Sequence, residues 1–178
     1  LHWMVHSFPT RRSSDLRGKK DTMDRRFHNA LHLLSEADRQ GSEAIRLALS
    51  VAAIEALLGQ HSSELASLLA DGVAVFLEPD TSYRSKASEL VKKLYNVRSR
   101  TLHGDALDES NVAAEDARRL AAGCLYALWC RHDLKHKLGE QPDKPDELLK
   151  ELKDQKWGTG QLAGIPDILN VRRLWGTT

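Results

Sequence analysis

The sequence predicts an all-α fold: a helical bundle of about five helices with a short C-terminal extension. Apolar residues recur three and four positions apart in five separate segments, each bounded by glycine, proline or a small polar residue. No stretch shows the period of two that a half-buried strand requires.

The first segment is expected at about 27–39, where Phe27, Leu31 and Leu34 share one face. Gly41 stops it, and Ser42 is a candidate N-cap for the second. The second, 43–58, is apolar nearly all round, with Ile45, Leu47, Leu49, Val51, Ile54, Leu57 and Leu58. A helix without a wide polar face belongs in the middle of a bundle, and Gly59 ends it. A third segment starts at Ser62 or Ser63, carries Leu65, Leu68, Leu69, Val73 and Phe76, and is stopped by Pro79. The fourth, about 81–103, has the cleanest period: Tyr83, Ala87, Leu90, Val91, Leu94, Val97 and Thr101. Gly104 follows as its left-handed C-terminal residue. The fifth, 112–137, opens with Glu115 and Asp116 and closes with Arg131, Lys135 and Lys137, so both ends complement the helix dipole. Beyond Gly139, Pro142 and Pro145 mark a linker, 146–155 a polar, charged helix, and 165–175 an amphipathic tail that packs back on the bundle.

Composition narrows the function classes. The chain has 178 residues, 41% of them hydrophobic and 29% charged, with a formal net charge of +1. That length suits one domain burying about two-thirds of its unfolded surface. No apolar run approaches the roughly 20 residues of a membrane span. A globally basic nucleic-acid binder is excluded, although a local basic patch is not. Cys124 and Cys130, six positions apart, read as buried thiols of a reducing, cytoplasmic compartment rather than as a disulfide or zinc frame. The first residue is Leu1, and 6–16 (HSFPTRRSSDL) reads as a translated sequencing adapter, so 1–16 is set aside as non-native. The remainder divides into a helical domain at 17–138 and a linker with a short helical tail at 139–178. An upstream region or partner is expected to precede the domain.

The fourth segment ends in Tyr95-Asn96-Val97-Arg98-Ser99-Arg100-Thr101-Leu102-His103-Gly104. An arginine and a histidine separated by four residues at a helix end resemble the Arg-x4-6-His signature of HEPN domains. The wider strings IEALL (Ile54 to Leu58) and LYNVRSRTLHG (Leu94 to Gly104) are most similar to the Apea-like HEPN group, over about 27–138. The resemblance implies an all-α bundle, often dimeric. It implies either a metal-independent ribonuclease of defence, toxin or RNA-processing systems, or an inactive module for dimerisation or nucleotide and RNA binding. Ser99 departs from the family pattern, since the position after the motif arginine is often a polar amide or an acid in active members.

The residue types suit metal-free RNA cleavage. Histidine moves protons near neutral pH, typically for a factor of about 10²–10⁴, and a guanidinium gives bidentate charge to a dianionic phosphorane. By resemblance, His103 is the general acid/base, Arg98 the phosphate clamp and Arg100 a secondary contact; the alternative is a purely structural bundle in which Arg98 packs its stem and pairs with an acid and His103 caps the helix. No metal and no cofactor is implied, and RNA is the implied partner. Arg98 and His103 lie about 140° apart on an ideal helix, with Arg98 at the edge of the apolar stripe. One helix therefore makes no compact site, whereas a homodimer could interleave two such pairs across its two-fold axis.

Glu55, a carboxylate on the apolar second segment, needs a partner. It either holds Arg98 or Arg100 from behind or forms a buried ion pair that fixes helix register. Asn96 and Asp105 either orient His103 and contact a ribose, or serve as turn and cap residues. The pairs His28/His32 and His132/His136 have metal-ligand spacing but no third ligand nearby. Arg118–Arg119 and the cluster from Arg131 to Lys137 could follow an RNA backbone or simply be solvated. Trp157 and Trp175 read as anchors of the tail.

Overall fold

The computed structural model describes residues 22–59, 65–103, 110–155 and 171–175. Among these it is all-helical. Six α-helices run in order: α1 (Met23–Arg39), α2 (Glu43–Leu58), α3 (Leu65–Leu77), α4 (Thr81–Leu102), α5 (Ser110–Lys137) and α6 (Pro145–Asp154). A closing 3₁₀ turn spans Val171–Trp175. None of these helices is long and apolar enough to cross a membrane.

Helix α1 begins four residues before the periodic signal. Thr22 accepts a hydrogen bond from the Arg25 amide (3.2 Å), and Met23 is buried. Helix α2 has the expected bounds, and its packing partners are chiefly α1 on one side and α5 on another. Leu47, Val51, Ala53, Ile54, Leu57 and Leu58 are all buried. Fully burying one such aliphatic side chain is worth about 1.5–3 kcal/mol, so this helix is the centre of the core. Its C-terminus is closed from α1: Arg26 donates to the carbonyls of Leu57 (3.3 Å) and Gly59 (3.0 Å), two of the acceptors a helix end leaves orphaned.

Helices α3 and α4 form a second pair joined at Glu78–Asp80. Asp80 caps α4, accepting from the Ser82 amide (2.9 Å) and hydroxyl (2.7 Å). Helix α5 ends at Gly139, whose φ of +70° suits glycine alone. There the Glu140 amide reaches the Lys135 carbonyl (2.9 Å) and Gly139 the His136 carbonyl (3.1 Å), the paired bonds of a Schellman motif.

The segment after Gly139 joins the fold. Helix α6 is amphipathic rather than uniformly polar, burying Leu148, Leu149 and Leu152 against α3. Pro145 is not a linker residue but the first residue of this helix. Arg131 of α5 bonds Asp143 (2.7 Å) and Glu151 (2.5 Å), and Lys135 also bonds Asp143 (2.7 Å). The 3₁₀ turn is the described part of the expected tail, and it packs on α4 and α5 with Val171 and Trp175 buried. Trp175 Nε1 donates to Oε2 of the buried Glu78 (2.9 Å), while Oε1 of the same carboxylate accepts from the Asp80 amide (2.9 Å). Trp157 lies outside the described residues.

Two predictions test how this extension is held. A Cβ at Gly123 would sit 2.9 Å from Val171 Cγ2. Overpacking of that kind typically costs about 1–3 kcal/mol, against about 1 kcal/mol gained from helix propensity. Gly123→Ala should therefore lower urea-unfolding stability by about 1 kcal/mol; a gain would show that Val171 does not fill this notch. The second concerns Asp143. Burial opposes its ionisation, but hydrogen bonds from Arg131 and Lys135 outweigh that cost and hold its carboxyl below the ordinary value. A depressed folded-state pKa contributes stability at neutral pH that is lost as pH falls through the folded value. Urea midpoints measured from pH 7 downward should fall more steeply below about pH 4 for the parent protein than for Asp143→Asn.

Candidate functional site

Helix α4 carries the candidate catalytic pair because its apolar stripe of Ala87, Val91, Leu94 and Val97 fixes its rotation against the core. Arg98 lies at the edge of that stripe: the residues one turn before and after it, Leu94 and Thr101, are buried, while Arg98 itself is half-buried. Its guanidinium meets Glu55 of α2, with Nη1 donating to Oε1 at 3.4 Å. The two side chains are 24% and 22% exposed, so the pair sits at the margin of the core rather than inside it. Tyr95, three residues earlier on the same face, places its ring 5.5 Å from the Arg98 guanidinium carbon, within cation–π range. Arg98 Nε is buried and meets no acceptor among the described residues.

His103 is the C-cap of α4, with φ −90° and ψ 0°, and its amide donates to the carbonyls of Ser99 (3.3 Å) and Arg100 (3.1 Å). Its imidazole is exposed at the C-terminal end of the helix. Asn96, Ser99 and Arg100 are exposed as well. Asp105 and Gly104 lie outside the described residues.

The geometry thus joins Glu55 to Arg98 and leaves His103 on another face of α4, about 140° away around the helix. Of the two arginines considered for Glu55, its partner is Arg98, and the contact ties α2 to α4, which fits both a supporting role behind Arg98 and an ion pair that fixes helix register. One Arg98 nitrogen engages one carboxylate oxygen, so the guanidinium edge is not saturated as a bidentate pair would leave it. Sequence reasoning gives Tyr95 no role of its own, although its i, i+3 spacing to Arg98 is the available signal.

The other candidates are arranged differently. Arg118 pairs with Asp38 (2.6 Å), and that hydrogen bond raises the guanidinium's pKa further. Arg119 pairs with Glu115 (2.9 Å) and Lys137 with Asp133 (2.7 Å). With Arg131 and Lys135 engaged at Asp143, these cations are compensated within the chain. His28 Nδ1 lies 2.8 Å from the Asp24 carbonyl, whereas His32 is exposed. No cluster of three metal-ligating side chains occurs among the described residues. Burial pushes the Cys124 thiol up to about 12, which keeps it protonated and unreactive near neutral pH. Cys130 is only half-buried.

The Glu55–Arg98 contact is measurable. A double-mutant cycle of Glu55→Gln with Arg98→Gln, read by urea unfolding, should return a coupling of about 0.5–2 kcal/mol. A coupling near zero would mean the pair does not tie the two helices. No family model, no curated protein and no solved structure matches this chain.

Proposed function

We propose that this chain is a HEPN-type, metal-independent endoribonuclease domain that acts as a homodimer, in the cytoplasm, within a bacterial defence or stress system. The observation that carries the reading is a guanidinium held at the core margin by a neighbouring helix, followed on the same helix by an exposed, cap-positioned imidazole. Glu55 and Tyr95 fix where the Arg98 charge sits, and such preorganised charge is what a developing phosphorane needs. In the proposed reaction the RNA 2′-oxygen attacks the adjacent phosphorus and gives its proton to solvent water, while the bond to the 5′-oxygen breaks. His103 delivers a proton to that leaving oxygen, and Arg98 bonds the non-bridging oxygens, with Arg100 beside it. The products are a 2′,3′-cyclic phosphate and a free 5′-hydroxyl. Because Arg98 and His103 face different ways on one helix, the reaction requires groups from both protomers at one phosphate.

A second reading is a non-catalytic module that dimerises or binds nucleotide or RNA. The half-buried position of Arg98 and its compensation by Glu55 favour it.

Cleavage in the presence of EDTA tests the first reading. Purified dimer should cut RNA and leave 2′,3′-cyclic phosphate ends. His103→Ala should reduce the rate at least about 10²-fold, the usual contribution of a general acid, without lowering the melting temperature. Cutting that persists in His103→Ala would overturn the assignment. Binding without cutting in the parent protein would establish the module.

A further inference from the structure

Helix α4 carries six lysine and arginine residues and a single carboxylate, Glu89, in a chain whose formal net charge is only +1. Two of the six are used inward. Arg84 is buried and donates to the carbonyls of Glu78 (2.9 Å) and Gln155 (2.8 Å), and Arg98 meets Glu55. The other four, Lys86, Lys92, Lys93 and Arg100, are exposed. Lys86, Lys93 and Arg100 recur at intervals of seven, which returns almost to the same line on a helix and spaces them about 10 Å apart over about 21 Å. Lys92 and His103 lie roughly 60–120° to one side of that line, so the cations and the imidazole span about one-third of the circumference. Glu89 interrupts them once.

Internal partners do not account for the three lysines of this ridge. Among the described residues no hydrogen bond or ion pair holds Lys86, Lys92 or Lys93. Lys86 lies over the Tyr83 ring at 5.2 Å, and Lys93 reaches Asp116 of α5 only through space. The exposed basic residues of α5 contrast with this, since Arg119 and Lys137 have carboxylates one turn away. A row of like charges on one rigid helix is unfavourable in isolation and favourable opposite a polyanion.

From this we infer that the exposed face of α4, from Lys86 to His103, is a track for the phosphate backbone of single-stranded RNA leading toward the imidazole. The inference rests on the reading of the protein as RNA-acting and adds where the strand lies. A membrane surface does not fit, because the apolar side of α4 is turned into the core. Leu102 is the only large apolar side chain of that helix among the exposed ones, too little to anchor an interfacial helix. A single phosphate or nucleotide would not use cations spread over about 21 Å. Lysine heads that make ionic contact without base-edge geometry imply weak sequence preference and strong salt dependence.

The test uses the full chain carrying His103→Ala, so that RNA survives the measurement. Binding of fluorescein-labelled single-stranded RNA is followed by anisotropy over a salt series in EDTA. Each phosphate that a lysine no longer neutralises should lower the slope of log K against log salt by about 0.7 for a single strand. The triple substitution Lys86→Gln, Lys92→Gln and Lys93→Gln should therefore reduce the slope by about 2 and keep its helical circular dichroism, since glutamine is a good helix former. An equal charge change at Lys137, Lys150 and Lys153 should leave the slope unaltered.

Equal slopes for the two triple variants would overturn the track, as would RNA binding too weak to detect at low salt. Tighter binding of polyglutamate than of RNA would reassign the ridge to an acidic protein partner. Cutting assays with His103 restored separate the two proposals. If RNA is cut but the lysines do not matter, the track fails and the nuclease stands. If the lysines set the slope but nothing is cut, the nuclease fails and the track stands.

Discussion

Helix α2 has almost no side to give to water, and the arrangement of the other helices follows from covering it. Helices α1 and α5 pack along it most extensively, and α4 and α3 close the remaining sides. A carboxylate on such a helix has few places to go. Glu55 resolves the conflict at the margin of the core, where it meets Arg98 while both side chains keep some contact with solvent. Had the pair been fully buried, desolvation could have cancelled its Coulombic gain. In this setting it adds a polar contact between α2 and α4 beside the apolar stripe that fixes the rotation of α4.

The molecule treats its cations in two ways. Along α5 and its exit, basic side chains sit opposite carboxylates, from Arg118 with Asp38 to the cluster of Arg131, Lys135, Asp143 and Glu151. These contacts join α5 to α1 and α6, so their electrostatics belong to assembly. Along α4 the inward cations are satisfied by carbonyls or by Glu55, while the outward lysines Lys86, Lys92 and Lys93 face water with one acid among them. A near-neutral chain can therefore carry a strongly polarised surface, which a total charge conceals.

Helix order, the central place of α2 and the bounds of α2 and α4 were legible in the sequence because apolar spacing there is regular and uninterrupted. The start of α1 was not, because Asp24, Arg25 and Arg26 hide the buried Met23 that begins it. Helix α6 reads as polar for a similar reason: its three buried leucines sit among acids and lysines, and only the face presented to α3 separates them. Within the site, Glu55 stood out as a charge on an apolar helix, and Arg98 as one of its two possible partners. The choice of Arg98 over Arg100 did not, because it depends on how α4 packs against α2. Glu78 had no local signature at all. Its partners are its own turn and a tryptophan 97 residues further along the chain.

The seating of Val171 against Gly123 has a consequence for how the molecule is made. The notch lies on α5, but what fills it is encoded 48 residues later. During synthesis at about 5–20 residues per second, an emerging polypeptide carries this bare apolar hollow for a few seconds before its plug has been translated. In that interval the nascent helix lacks the contact that closes this face of α5.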